Sequence, residues 1–191
     1  MNLSHKHIAV WGYGSVGAAI THYLYRHNTP RITVFDRNIA EEHYKNGISF
    51  LPESYCTEIP YDILIPSPGI DISSYPSVKP WLVSEYDAFS DLSQVPQIGI
   101  TGSLGKTTVT TLINWMLQAH GISTAVGGNI GRPLFDLLEH NDVTYTVLEL
   151  SSFQLEHAYT ASPDVAILTN FHPNHLDRHG TEEAYFKAKR N

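Results

Sequence analysis

The chain has 191 residues, 12 Lys and Arg against 19 Asp and Glu and a formal net charge of -7, with its basic residues scattered rather than gathered into a stripe, which disfavours a nucleic-acid partner. Its 42% hydrophobic content falls in short runs broken by Gly, Pro and charge, none near the roughly 20 apolar residues of a membrane-spanning helix. Met1-Asn2-Leu3-Ser4-His5-Lys6-His7 leads into a strand-like run with no apolar signal segment, so a cytoplasmic protein without a membrane partner is expected; Cys56, the single cysteine, excludes an internal disulfide and a cysteine-based zinc cage.

Short β-branched runs alternate with helical stretches, the pattern of βα units stacked around a parallel sheet, and an α/β fold is expected. His7-Ile8-Ala9-Val10-Trp11 reads as a strand, Val16 to Arg26 as a helix and Arg31 to Asp36 as the next strand. Tyr61-Asp62-Ile63-Leu64-Ile65 reads as a later strand that ends in a turn at Pro66-Ser67-Pro68-Gly69. Between the first strand and helix, Gly12-Tyr13-Gly14-Ser15-Val16-Gly17 fits G-x-G-x-x-G. Glycines there permit a tight turn and close backbone approach, so a diphosphate can rest on the helix N-terminus, and Asp36 stands where such folds place an acid that accepts hydrogen bonds from a ribose or base. Taken alone this loop reads as an NAD site; Arg37 beside the acid leaves NADP open, and a ligand-free βα turn is the plainer alternative.

The stretch 89–96 reads as weakly structured, which divides the chain into expected domains over 1–93 and 94–191. The second series restarts with the strand Gln97 to Thr101, followed by a helix from Thr107 to about His120, strands Thr144 to Leu150 and Asp164 to Asn170, and a closing helix near Glu182 to Lys189. That helix runs to Arg190-Asn191 without a capping Gly, so the chain reads as cut rather than finished. A Rossmann-like parallel-sheet domain is thus expected to precede the first part of a P-loop ATPase-like α/β domain.

The second loop, Gly99-Ile100-Thr101-Gly102-Ser103-Leu104-Gly105-Lys106-Thr107-Thr108, departs from strict G-x-x-x-x-G-K-[ST] because its first glycine falls at 99 or 102. The chemistry survives the shift. Backbone N–H groups along Gly102, Ser103, Gly105, Lys106, Thr107 and Thr108 can wrap phosphate oxygens, Lys106 can neutralise the β/γ charge of ATP, and the Thr107 hydroxyl can ligate Mg2+. Glu149 ends an apolar strand and supplies a carboxylate for that metal, since the C-terminal strand ends of a parallel sheet converge on one crevice; a solvated strand-end charge is the alternative. The loop Asn170-Phe171-His172-Pro173-Asn174-His175-Leu176-Asp177-Arg178-His179 is rich in histidine, which suits either a zinc site or an ordinary polar loop. On local grounds Lys189 is a solvated helix lysine.

With these residues assembled the sequence resembles the Mur ligases, over Gly12 to Gly17, Ser67-Pro68-Gly69-Ile70, Gly99 to Thr108, Gly127-Gly128-Asn129-Ile130-Gly131, Leu148-Glu149-Leu150-Ser151-Ser152-Phe153-Gln154-Leu155 and Asn174-His175-Leu176-Asp177-Arg178. The Glu-Leu-Ser-Ser-Phe-Gln-Leu string and the Gly127 to Gly131 turn point to the members that add D-glutamate. The resemblance implies that the first domain holds the UDP of a nucleotide sugar, not NAD, with Gly14, Ser15 and Val16 by the diphosphate, Asp36 and Arg37 bordering the uracil, and Ser67, Pro68 and Gly69 lining the same pocket. It implies that Asn129 contacts the muramoyl substrate, that Lys106 and the neighbouring amides hold ATP, and that Thr107 and Glu149 hold the first Mg2+. It further implies that His175 ligates a second Mg2+, and that Lys189 is carbamylated and neighbours both metals, so that Lys106, Glu149, His175 and Lys189 form the catalytic set.

The implied reaction is ATP-dependent addition of D-glutamate to UDP-N-acetylmuramoyl-L-alanine through an acyl phosphate, in peptidoglycan precursor synthesis. Two residues depart from the family pattern: Leu104 stands in place of an Asn, and Asn174 in place of an Asp, and both losses of polar groups are expected to weaken activity. The resemblance also implies a missing C-terminal domain that presents the amino acid and completes the adenine pocket, so the isolated chain is expected to bind UDP-sugar, to hold ATP weakly or not at all, and not to turn over. A stand-alone nucleotide-binding module derived from the ligase, a sister ligase of other amino-acid specificity and an NAD-dependent dehydrogenase are the competing readings; the dehydrogenase gives no role to Lys106, Thr107 and Glu149.

Overall fold

The computed structural model describes residues 3–191, so Met1 and Asn2 of the stretch read as lacking a signal lie outside the described residues. Two compact units follow one another, the first ending at Ala88 and the second spanning Phe89–Asn191.

The first unit carries β1 (His7–Trp11), α1 (Ser15–Arg26), β2 (Arg31–Asp36), β3 (His43–Lys45), β4 (Ile48–Pro52) and β5 (Ile63–Pro66), in a sheet of order β3-β4-β2-β1-β5. β1 pairs parallel with β2 and β5, and β2 parallel with β4; only β3 runs antiparallel. The β3–β4 pair was not anticipated, although Asn46 (φ 52°) and Gly47 (φ 82°) form the two left-handed positions of a tight hairpin turn. β4 is nearly continuous in apolar burial because it lies inside the sheet. The core beneath β1 and β2 gathers Ala9, Trp11, Phe35, Leu51, Cys56, Leu64, Ile72 and Val78. Cys56 is a core thiol, its pKa pushed up to about 11 chiefly by burial.

Residues 89–92, expected to be weakly structured, belong instead to the helix α2 (Glu85–Leu92). A cap explains it: the Ser84 hydroxyl accepts from the Asp87 N–H at 2.9 Å, and Glu85 and Asp87 place acidic groups in the first turn.

The second unit holds β6 (Gln97–Thr101), α3 (Lys106–Ala119), β7 (Thr124–Gly128), α4 (Leu134–Leu137), β8 (Tyr145–Glu149), α5 (Ser152–Leu155), β9 (Val165–Leu168), α6 (Leu176–His179) and α7 (Glu182–Arg190). Its sheet is wholly parallel, in the order β7-β8-β6-β9. Ile98, Ile100 and Val147 form its core, covered by Val109, Ile113 and Leu117 of α3. Because β6 and β8 are neighbours, with Ile100 paired to Glu149, the loop after β6 and the last residue of β8 emerge at the same sheet edge.

Candidate functional site

In the first unit, Gly12 takes φ 91° and its N–H donates to the Phe35 carbonyl at 2.7 Å, folding the loop across the ends of β1 and β2. Gly17 packs so closely that a Cβ there would lie 1.8 Å from the Gly12 carbonyl oxygen. Helix α1 starts after Gly14 with no side-chain cap, which leaves the amides around exposed Ser15 and half-buried Val16 open to an anion. Asp36 braces this loop: Oδ2 accepts from the Tyr13 N–H at 2.6 Å and Oδ1 from the Asn38 N–H at 2.8 Å. Burial acts to raise its pKa, but those amides and adjacent Arg37 outweigh it, and the net shift is downward. Ser67 closes the other side, donating to the Gly12 carbonyl at 3.1 Å through Oγ and to the Trp11 carbonyl at 2.8 Å through its N–H; Pro68 and exposed Gly69 continue the turn.

In the second unit, β6 leads into a loop with Gly102 at φ 143° and Gly105 at φ 78°, and α3 begins at Lys106 with no side-chain cap. The first-turn amides of Lys106, Thr107 and Thr108 therefore stand free for phosphate. Ser103 and Leu104 are arranged differently: their N–H groups donate to the Asn170 carbonyl (3.1 Å) and Oδ1 (3.0 Å). The Ser103 hydroxyl donates to the His172 carbonyl at 2.7 Å and lies 3.1 Å from the Tyr185 hydroxyl. Ser103 is thus a structural knot between loop, histidine-rich segment and α7. Leu104 is exposed, and its carbonyl accepts from Thr169 Oγ1 and Asn170 Nδ2.

Glu149 is 1% exposed, not a solvated strand-end charge. Its Oε2 accepts from Thr107 Oγ1 at 2.8 Å, and its Oε1 accepts from Asn129 Nδ2 at 2.7 Å. Asn129 is held by a second bond, its N–H donating to the Glu149 carbonyl at 2.8 Å. That approach needs Gly128, at φ 100°, where a Cβ would lie 2.2 Å from the same carbonyl oxygen. Among the described residues the buried Glu149 carboxyl meets neutral donors and no cation, a setting that a hard metal ion would complement. A hydroxyl and a carboxylate oxygen side by side suit Mg2+, which takes few protein ligands and completes its shell with phosphate and water.

Lys106 Nζ folds back onto its own loop, donating to the carbonyls of Gly102 (3.0 Å) and Ser103 (3.3 Å). Lys189 corrects the local expectation of a solvated lysine: it is 8% exposed and donates to the Gly102 carbonyl at 2.9 Å and to Thr101 Oγ1 at 3.3 Å, above the Tyr185 ring. Burial, and secondarily the Lys106 charge, lowers its pKa to about 8. His175 is exposed, with φ 54° at the N-cap of α6, its ring centroid 5.1 Å from that of Phe153 and 6.3 Å from that of Tyr185. Asn174 Oδ1 accepts from the His175 N–H at 2.9 Å. Among the described residues no three His, Cys, Asp or Glu side chains gather into a metal cage. No described helix is long and apolar enough to cross a membrane.

The arrangement therefore joins Thr107, Glu149 and Asn129 directly, links Lys106 and Lys189 through one carbonyl, and places His175 on a separate turn. A strand, a glycine loop ending in Lys-Thr, a helix with an open N-terminus and a strand-end acid define a P-loop type of nucleotide-binding domain. Residues 100–191 match the Mur ligase middle domain. It is 38% identical over 99% of its length to a UDP-N-acetylmuramoylalanine–D-glutamate ligase of Clostridium acetobutylicum, of which it covers 44%. It is 40% identical over 99% of its length to the ligase of the same name from Acetivibrio thermocellus, covering 43% of that protein. The chain thus spans under half the length of these relatives. Its fold is similar to that of a solved Neisseria meningitides UDP-N-acetylmuramate:L-alanyl-gamma-D-glutamyl-meso-diaminopimelate ligase, with a TM-score of 0.51 and 16% identity over 96% of this chain and 67% of that one.

Proposed function

We propose that this chain is the UDP-sugar- and ATP-handling part of a cytoplasmic ligase that adds D-glutamate to UDP-N-acetylmuramoyl-L-alanine in peptidoglycan precursor synthesis. The observation that carries the reading is the bond from Thr107 to buried Glu149 beside the open N-terminus of α3. It joins the two metal-directed groups of the sequence beside a helix N-terminus open to a triphosphate.

In this reading the UDP diphosphate rests on the α1 N-terminus at Gly14, Ser15 and Val16, with Asp36, Arg37 and the Ser67–Gly69 turn around the uridine. The alanine carboxylate attacks the γ-phosphate to give an acyl phosphate and ADP, and the amine of D-glutamate then displaces phosphate to form the amide. Two anions meet in the first step, so positioning and charge neutralisation dominate. Lys106 exchanges its loop carbonyls for β/γ oxygens, and the first-turn amides of α3 orient the chain of phosphates. Thr107 and Glu149 would hold one Mg2+, and His175 with carbamylated Lys189 a second; a bound Mg2+ would supply Lewis-acid stabilisation of the phosphoryl charge. Lys189, with its pKa near 8, carries a neutral fraction at neutral pH that can take up CO2 as a carbamate, which also removes a positive charge facing Lys106.

Calorimetry with UDP-N-acetylmuramoyl-L-alanine tests the first half of the reading, and binding is expected. Phosphate release dependent on D-glutamate is expected only after the C-terminal part of a relative is supplied in trans. Failure to bind the nucleotide sugar, together with quenching of NADH fluorescence, would overturn the reading in favour of a dehydrogenase.

A further inference from the structure

The two halves of the proposed metal site come from separate stretches of chain, and polar contacts outside the ligand set tie them together, the most buried of them between His179 and Ser152. Three residues past Glu149, Ser152 opens α5 with its side chain buried. One turn past His175, the His179 ring points inward, and its Nε2 lies 3.0 Å from Ser152 Oγ. The His179 N–H also donates to the His175 carbonyl at 3.0 Å, so the buried ring has a fixed relation to the turn that presents His175. Phe153 packs against both histidines, 5.6 Å from the His179 centroid at 15° and 5.1 Å from that of His175. Tyr185 closes the other side, 5.3 Å from His179. Arg178 adds a bond to Glu156 Oε2 at 3.2 Å.

His179 is 9% exposed, and the bland reading is a core histidine with a satisfied nitrogen. Two features argue for more. Helix α6 has four residues, too few to hold its own conformation, so its placement comes from tertiary packing. The slot is also lined by aromatic rings, in which a phenyl group would pack without the desolvation that an imidazole brings. What the imidazole adds is a directional bond to Ser152 Oγ and a looser approach of Nδ1 to Glu156 Oε1 at 3.9 Å, and both end on the segment that follows Glu149.

We infer that His179 is a positioning residue: through Ser152 it sets where His175 stands relative to Glu149, and so whether both can bear on one metal–phosphate cluster. The inference rests on the metal reading proposed above, and its test separates the two.

The 191-residue chain, Ser152→Ala, His179→Phe, the double variant and Glu149→Gln are titrated with Mn2+ in the presence of a non-hydrolysable ATP analogue, followed by electron paramagnetic resonance. Histidine-ring NMR spectra are recorded without metal. Ser152→Ala and His179→Phe are each expected to weaken Mn2+ binding about tenfold, the range seen when a supporting partner of a metal ligand is lost. The double variant should be no weaker than the weaker single, because both remove the same bond. The His175 ring signals should shift and broaden in the metal-free singles while the chain still melts cooperatively. Unchanged Mn2+ affinity and unchanged His175 signals in folded Ser152→Ala sink the inference, and that milder variant decides the matter alone should His179→Phe not fold. If the unsubstituted chain and Glu149→Gln bind Mn2+ alike, or neither binds it, the metal reading fails, and the positioning claim falls with it.

Discussion

Thr107 Oγ1 stands 2.8 Å from Glu149 Oε2, although one lies in the first turn of a helix and the other ends a strand on a different βα unit. The contact follows from β6 and β8 being adjacent and parallel, which sends both chain segments out at one edge. Glutamine at position 149 can keep both bonds, accepting from Asn129 and donating to Thr107, while removing the acidic group. Glu149→Gln should therefore melt close to the temperature of the unsubstituted chain, because the isosteric amide keeps both bonds. It should lose at least about tenfold in affinity for Mn2+ with an ATP analogue, as befits loss of a charged ligand. Calorimetry and thermal melts give both values; a strongly lowered melting temperature would make Glu149 a structural group instead.

The glycines of the second unit separate two costs. Gly105 and Gly128 both have positive φ, yet a Cβ on Gly105 meets nothing within 4 Å, whereas one on Gly128 strikes the Glu149 carbonyl oxygen at 2.2 Å. Gly105→Ala should cost about 1 kcal/mol from the left-handed backbone alone. Gly128→Ala should cost more than about 3 kcal/mol or prevent folding, since backbone must move against backbone. Urea unfolding of the two variants would show the ranking, and equal costs would mean that the Asn129 turn is freely displaced from β8.

The glycine contrast is not legible in the sequence, whereas the meeting of Thr107 with Glu149 is. Gly-Lys-Thr after an apolar strand, and an acid ending another, point to a shared crevice for Thr107 and Glu149 because a parallel sheet brings strand ends together. The hairpin at Asn46-Gly47 also had a local signal, left unread beside the dominant βα alternation. Lys189 was not legible, because its helix looks amphipathic and polar, and only the return of α7 onto Gly102 buries it. Ser103 lay in the expected loop, but its tie to His172 and Tyr185 depends on residues far along the chain. Likewise nothing local in Ser152 or His179 announces their bond.

Asp36 offers a test of the first unit. Its carboxylate receives the Tyr13 and Asn38 N–H groups and has a lowered pKa. A depressed carboxyl contributes stability that is present above its unfolded value and lost as pH falls through the folded one. Asp36→Asn should thus lower the melting temperature slightly at pH 7, with the difference shrinking below the ordinary carboxylate range. It should also weaken binding of the UDP-sugar, because the Tyr13 amide no longer pins the loop. A melting difference that persists undiminished at low pH would assign the effect to packing rather than to the charge.

Lys189 sets the opposite limb of the pH profile. Its pKa falls from 10.5 to about 8 on folding, so between those values the unfolded chain binds the extra proton, and stability rises with pH across that window. Below about pH 8 the lysine is charged in both states and the full penalty applies, on the order of 3 kcal/mol. Lys189→Met removes the titrating group and keeps a stem able to lie on Tyr185. In CO2-free buffer the variant should be the more stable at pH 7 and show a flatter stability curve from pH 8 to 10. Bicarbonate should raise the melting temperature of the unsubstituted chain but not of the variant, because a carbamate replaces the cation that faces Lys106 with an anion. Urea unfolding at stepped pH, with and without bicarbonate, measures both effects; identical curves for the two proteins would mean that Lys189 keeps its ordinary pKa, and the carbamate chemistry would lose its physical basis.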